Sequence, residues 1–385
     1  MDGTHSKECE TTVPHNTLGR RKLLSGLAFT AIGLSAGCAA GAQEGSQSPS
    51  RQARFRERMM ARRGITLPEL PDDLPTAPYE DPRAIPGRFD VNDVTGSWTD
   101  SARGGRQVPW RAYLPTAGGP VPTVIFSHGG GGTRDTGRQF GAHLASHGIA
   151  SVHVQHAGSD RDAFREDAQQ ISRAARDPQY GVVRFEDIGF AAARLSESDG
   201  VPEGIVDPDR MGIYGHSFGA ITTQIIAGQT VTGFGQSLAL PSFRAAAALS
   251  PSPPREGYGD AATAFSHMLM PMAHLTGTED HAPNGDFDAP ARRIAFDRID
   301  NVDQYLLVLD GANHFTFSGA PEPELRGRSF AYPGLARHHD LIRAMLTAFF
   351  RLELAGETGE RAYLGPRGIV GALTPEDVFE AKAGI

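Results

Sequence analysis

The chain has 385 residues, 39% of them hydrophobic and 21% charged, with a formal net charge of −8. That length fits one large domain or two small ones, and the acidic balance argues against nucleic acid or an anionic membrane surface as a partner. Both cysteines, Cys9 and Cys38, lie near the N-terminus, which excludes a disulfide or a thiol nucleophile from the folded body.

Residues 1–42 read as an export signal. Gly19-Arg20-Arg21-Lys22 precedes an apolar run from Leu23 to Ala36. A basic stretch before a short apolar one marks export, and the run is too short to span a membrane. The paired arginines point to the twin-arginine route, which suits a body that needs no disulfides. Two processing sites compete. Leu34-Ser35-Ala36-Gly37-Cys38 resembles a lipobox and would attach the protein to a membrane through a lipidated Cys38, although Ser35 stands where an aliphatic residue is usual. Ala40-Gly41-Ala42 offers ordinary cleavage after Ala42. The expected location is periplasmic or extracellular in one case and a membrane-anchored lipoprotein in the other.

Residues 43–95 read as a tether. Arg51 to Arg63 has the spacing of a basic, solvated helix, and Leu67 to Pro86 carries six prolines, which favours an extended chain.

From residue 96 to 355, short β runs alternate with helical patterns. This predicts an α/β fold with a mostly parallel central sheet flanked by helices on both faces. Strands are expected over Val108–Leu114, Val121–Phe126, Ile149–Val154, Arg210–Tyr214, Phe243–Leu249, Met268–Thr276 and Gln304–Asp310, and helices over Gln139–Ser146, Phe185–Ser196, Ala220–Gly228 and Leu341–Leu354. Phe185, Ile188, Ala191, Ala192 and Leu195 have helical spacing. Ala157 to Val182 is charged and lacks a strand pattern, so it is expected to form an insertion over the site, a partial lid. Residues 356–385 are expected to be a C-terminal tail.

The octapeptide Ile213-Tyr214-Gly215-His216-Ser217-Phe218-Gly219-Ala220 carries the chemistry. With 46 glycines present, Gly-x-Ser-x-Gly arises by chance in roughly one such chain in three. Its setting between a short strand and a small-residue helix makes it the nucleophile elbow of an α/β-hydrolase. A serine hydroxyl needs a histidine to take its proton, and that histidine needs an acid to orient it. In this fold the chain order is Ser, acid, His. Of fourteen histidines, His314 follows the last strand, where the fold delivers its base. His338 and His339 begin the final helix and are expected to be exposed, and His216 is too constrained in the elbow. Asp280 follows the preceding strand and is the favoured acid, with Asp310 as the alternative and Glu279 pointing elsewhere. The oxyanion site needs backbone N–H groups. One is expected from Phe218, the other from the loop His128-Gly129-Gly130-Gly131, with Gly130 favoured over Gly129. Trp98 and Trp110 are expected in the core rather than in the pocket.

Phe126-Ser127-His128-Gly129, Leu144-Ala145-Ser146-His147-Gly148-Ile149, Arg184-Phe185-Glu186-Asp187-Ile188, Val206-Asp207-Pro208-Asp209-Arg210, Gly277-Thr278-Glu279-Asp280 and Asn313-His314-Phe315 resemble segments of one hydrolase family. It groups the plasma-type platelet-activating-factor acetylhydrolases with dienelactone-hydrolase-like bacterial esterases, with the cutinase-like polyester hydrolases as relatives. The likeness spans roughly residues 105–355. It implies triad roles for Ser217, Asp280 and His314 and oxyanion roles for Gly130 and Phe218. Dienelactone hydrolases proper use cysteine where Ser217 stands, so dienelactone is not the expected substrate. Ala220 replaces a glycine often found after the elbow. No metal or cofactor is implied. The expected activity is hydrolysis of a small-molecule or lipid-like carboxylic ester through an acyl-enzyme. The rival readings are amide, thioester or polymeric-ester hydrolysis by the same residues, and a non-catalytic binding lipoprotein, against which an intact triad argues.

Overall fold

The computed structural model describes residues 81–255, 257–319, 334–365 and 368–384. The expected export signal, Cys38, the Arg51–Arg63 stretch and most of the proline-rich segment lie outside the described residues.

A nine-stranded sheet forms the centre, in the order β1-β2-β4-β3-β5-β6-β7-β8-β9. The strands are β1 (Val91–Asp100), β2 (Arg106–Pro115), β3 (Val121–Ser127), β4 (Ala150–Val154), β5 (Val206–His216), β6 (Phe243–Leu249), β7 (Met272–Glu279), β8 (Gln304–Asn313) and β9 (Val378–Lys382). β4, β3, β5, β6, β7 and β8 are mutually parallel. β1 and β2 pair antiparallel at one edge and β9 at the other.

The inner parallel strands are apolar on both faces, which suits a sheet covered on both sides. Alternate residues enter opposite cores: Ile125 and Ile213 pack with α3 (Pro178–Ser196) and α4 (Phe218–Ile226). Phe126 and Tyr214 pack instead with α1 (Arg138–Ser146) and α6 (Leu335–Glu353). Two further helices are α2 (Arg161–Ala174) and α5 (Ile294–Arg298). Trp98 and Trp110 stack at 5.0 Å between ring centroids, inside the first of these cores.

Several boundaries differ from the sequence reading. β7 starts at Met272 rather than Met268. Pro271 cannot donate to a ladder, and Met268 and Met270 are buried as irregular chain whose neighbour Leu269 donates to Ala227. The sheet begins at Val91, inside the expected tether, and β9 lies in the expected tail. His338 and His339 are buried, not exposed. They sit on the inner side of α6, and His339 Nε2 meets the Thr316 carbonyl at 3.1 Å.

Candidate active site

Side chains for chemistry gather at the carboxyl ends of the parallel strands, where open α/β sheets form their ligand crevices. Ser217 stands between β5 and α4 with φ 58° and ψ −114°. A non-glycine residue there is strained, and the surroundings enforce the turn. A Cβ at Gly219 would lie 1.8 Å from the Ser127 carbonyl oxygen, and one at Gly215 would lie 2.4 Å from that of Gly219. The elbow therefore requires both glycines. The Ser217 N–H donates to Leu249 at 3.0 Å and ties the turn to β6.

His314 follows β8. Its Nε2 is 2.9 Å from Ser217 Oγ, and its Nδ1 is 2.8 Å from Asp280 Oδ1. With the Nδ1 proton donated to the carboxylate, Nε2 is free to accept from the serine hydroxyl. His216 Nε2 contacts the His314 carbonyl at 2.9 Å and steadies the loop. Asp280 is fully buried after β7, and Thr276 Oγ1 donates to its second oxygen at 2.9 Å. The alternative acid, Asp310, accepts from Thr278 Oγ1 instead. Glu279 lies outside this chain of bonds, 3.6 Å from His281.

Arg292, which sequence reading did not single out, is buried beside the pair. Its Nη2 is 3.0 Å from Asp280 Oδ1 and 3.0 Å from His314 Nδ1. Since Nδ1 carries the proton given to Asp280, the two nitrogens converge on one carboxylate oxygen. The remaining N–H groups donate to the carbonyls of Asp280, Ser250 and Pro251. Burial pushes the Asp280 carboxyl up, but Arg292 and the His314 hydrogen bond outweigh it and hold it below its ordinary value. Burial lowers His314, Asp280 opposes, and Arg292 adds to the lowering.

The glycine loop after β3 faces the elbow. A Cβ at Gly129 would be 3.3 Å from Ser217 Cβ, and one at Gly130 would be 2.7 Å from Ile171 of α2. Glycine lets this backbone approach the serine without those tight contacts. The Gly131 N–H goes to Ser159 and the Gly132 N–H to Gly129. The N–H groups of Gly129, Gly130 and Phe218 find no acceptor among the described residues. Phe218 opens α4, where first-turn amides have no intrahelical partner. The expected insertion is α2 and the start of α3. α2 kinks at Asp167 and lays Ile171 and the half-exposed Phe164 over Gly130 and Gly131.

Beneath that loop lies a second Ser-His-Asp chain. Ser127 Oγ is 3.0 Å from His156 Nε2, and His156 Nδ1 is 3.1 Å from Asp187 Oδ2. All three are fully buried, so this serine meets no substrate. Burial lowers His156 to about 4, leaving it neutral. Asp187 is gripped by Arg106 at 2.8 Å and Arg103 at 2.8 Å. Burial would raise its carboxyl, but Arg106 and His156 bring it to about 2.

Residues 98–186 match the family of platelet-activating factor acetylhydrolase, isoform II. The chain has the α/β-hydrolase fold. Its matched span, under a quarter of the length, holds the glycine loop, the second Ser-His-Asp chain except for Asp187, and Arg184, and it ends before Ser217. No curated protein matches the chain. At family level the match supports a serine ester hydrolase. The fold thus brings Ser217, His314 and Asp280 into one hydrogen-bonded line, with Gly130 and Phe218 on the loop and helix that face it. Arg292 gave no signal in sequence, whereas Arg184 and Asp187 stood within a family-like segment without a role attached.

Proposed function

We propose that this protein is an exported carboxylic ester hydrolase that works through an acyl-enzyme on Ser217. The observation that carries this reading is the line Ser217 Oγ–His314–Asp280, with contacts of 2.9 and 2.8 Å. His314 Nε2 takes the hydroxyl proton as Ser217 Oγ bonds to the ester carbonyl carbon. The carbonyl electrons move to oxygen, and the Gly130 and Phe218 amides donate to that oxyanion. When the intermediate collapses, the ester C–O bond breaks and His314 gives its proton to the departing alkoxide. A water molecule then repeats the sequence on acyl-Ser217, releasing the carboxylic acid and restoring the serine. The positive end of α4 points at the same oxygen. The N-terminal Arg20-Arg21 pair and the apolar run after it support export. Lipidation at Cys38 would hold the enzyme at a membrane, near lipid-like esters.

The test compares the full chain with Ser217→Ala on p-nitrophenyl esters from acetyl to dodecanoyl. The expected loss in kcat is about a million-fold, as for other triad serines. Equal, negligible turnover by two folded proteins on every ester would overturn the reading.

A further inference from the structure

We propose that Arg184 is a positioning residue for the oxyanion site, holding both of its arms and adding a fixed buried positive charge behind them. The proposal rests on the esterase reading above.

Arg184 lies on α3 and is almost wholly buried. Its Nη2 donates to the His128 carbonyl and, at 3.0 Å, to Ser127 Oγ. Nη1 donates to Ser159 Oγ at 2.7 Å, and Nε reaches Thr222 Oγ1 at 3.4 Å. The guanidinium carbon sits 4.3 Å from the Phe218 ring centroid. These contacts join the two segments that would supply the donors. The His128 carbonyl belongs to the same peptide unit as the Gly129 N–H. In a planar trans peptide the two groups point oppositely, so a bond that fixes the carbonyl also aims the amide. The next peptide unit is fixed in the same way. His128 Nδ1 donates to the Gly129 carbonyl at 2.7 Å, joined by the Gly132 N–H at 3.0 Å, and this aims the Gly130 N–H. Thr222 and Phe218 extend the grip to the first turn of α4.

The charge matters as well as the geometry. Every hydrogen-bond partner of Arg184 is uncharged, and it makes no ion pair among the described residues. Its balance comes through a relay. Arg184 donates to Ser127, the Ser127 hydroxyl donates to His156 Nε2, and His156 Nδ1 donates to Asp187. Asp187 is already shared by Arg103 and Arg106. Arg103 pairs in turn with Asp100 and Glu186, so the balancing carboxylates lie beyond the groups that Arg184 touches, and a buried charge that lacks a direct counter-ion is costly. A negative charge on the substrate oxygen would relieve that cost, and it exists only in the transition state and the tetrahedral intermediate. That is a preorganised field of the kind that lowers barriers.

The experiment uses the full chain, Arg184→Met and Arg184→Lys, with p-nitrophenyl acetate as substrate and an alkyl trifluoromethyl ketone as the probe. The ketone adds Ser217 Oγ and forms a tetrahedral oxyanion. Losing one oxyanion contact typically lowers kcat about 100-fold, and that is the loss expected for Arg184→Met. KM should stay within about threefold, and ketone affinity should weaken in step with kcat. Arg184→Lys keeps the charge but not the fork, so a smaller parallel loss is expected. Should the Met variant not fold, the Lys variant decides by the same comparison. Wild-type ketone affinity in either folded variant, or a loss confined to KM, overturns the proposal, as does failure of both variants to fold. If the wild type neither hydrolyses the ester nor binds the ketone, the esterase reading has failed instead.

Discussion

Replacing Arg292 with glutamine should shift the acid limb of activity. On the proposed mechanism His314 must be neutral to accept the serine proton, so kcat/KM falls as pH drops through its pKa. Burial and Arg292 place that pKa below the ordinary 6.5, against the pull of Asp280. The wild-type acid limb is therefore expected below pH 6.5. Arg292 Nη2 stands 3.0 Å from His314 Nδ1. Two unit charges about 4 Å apart repel by about 4 kcal/mol at an effective dielectric near 20, and one pK unit is about 1.4 kcal/mol, so the ceiling is about three units. Arg292 also keeps Asp280 ionised, and a weaker Asp280 would support the imidazolium less. The net expectation is a rise smaller than that Coulomb ceiling, so the acid limb moves to higher pH. The groups facing the imidazole are Ser217, Asp280, Arg292 and His216, and only Arg292 changes.

The assay is kcat/KM from pH 5 to 9 for both proteins, with melting curves to establish folding. Glutamine can still donate to the Ser250 or Pro251 carbonyl, which limits the damage from removing one partner of a buried pair, a change that can reach about 3–5 kcal/mol. An acid limb that stays in place, or moves to lower pH, in a folded Arg292→Gln protein refutes the electrostatic account and leaves Arg292 a packing residue.

Asp280→Asn should lower kcat about 10,000-fold by offering His314 the wrong tautomer, while Asp310→Asn, whose partner is Thr278, should stay within a few-fold of wild type; the same ester assay separates them. Stability should fall steeply on acidification. Burial lowers His153 and His216 to about 3, and His156 and His274 to about 4. The unfolded chain then binds protons that the native one refuses, so their contribution is full above pH 6.5 and lost as pH falls toward those values. Each histidine adds a slope of about 1.4 kcal/mol per pH unit in that window. Urea unfolding at pH 7.5, 6.0 and 5.0 measures it, and equal free energies at all three would refute the expectation.

The central strands and the elbow were legible because their causes are local, while Asp280 and His314 were found through the chain order of the fold. Buried parallel strands read as apolar runs, and the elbow needs Gly215 and Gly219 beside the serine wherever it occurs. The outer strands were hidden. β1 follows a proline-rich stretch, and β9 contains Glu380 and Lys382, so neither carried a buried pattern. The buried arginines were harder still. Arg184 and Asp187 stand three apart on a helix, the spacing of a surface ion pair, yet Arg184 bonds to hydroxyls and a carbonyl while Asp187 pairs with arginines from elsewhere. Such assignments depend on which chain segments meet, and one helix does not encode that. His338 and His339 were misjudged for the same reason.

The two buried arginines complement each other along the path the charge would travel. On the proposed mechanism, acylation would turn a neutral serine and a neutral histidine into an oxyanion and an imidazolium. Arg184 lies behind the arms that face the oxyanion, without a direct counter-ion, and so favours the negative end. Arg292 is locked to Asp280 at 3.0 Å, so together they present little net charge to the imidazolium. Asp280 alone would raise His314 and make it a stronger base that is protonated, and idle, near neutral pH. Arg292 alone would make the imidazolium too costly to form. Paired, they leave a histidine that is neutral in the resting enzyme yet still oriented by a carboxylate. The acid–base side thus stays near balance while the oxyanion side is biased, and the asymmetry favours the charge-separated state over the resting one.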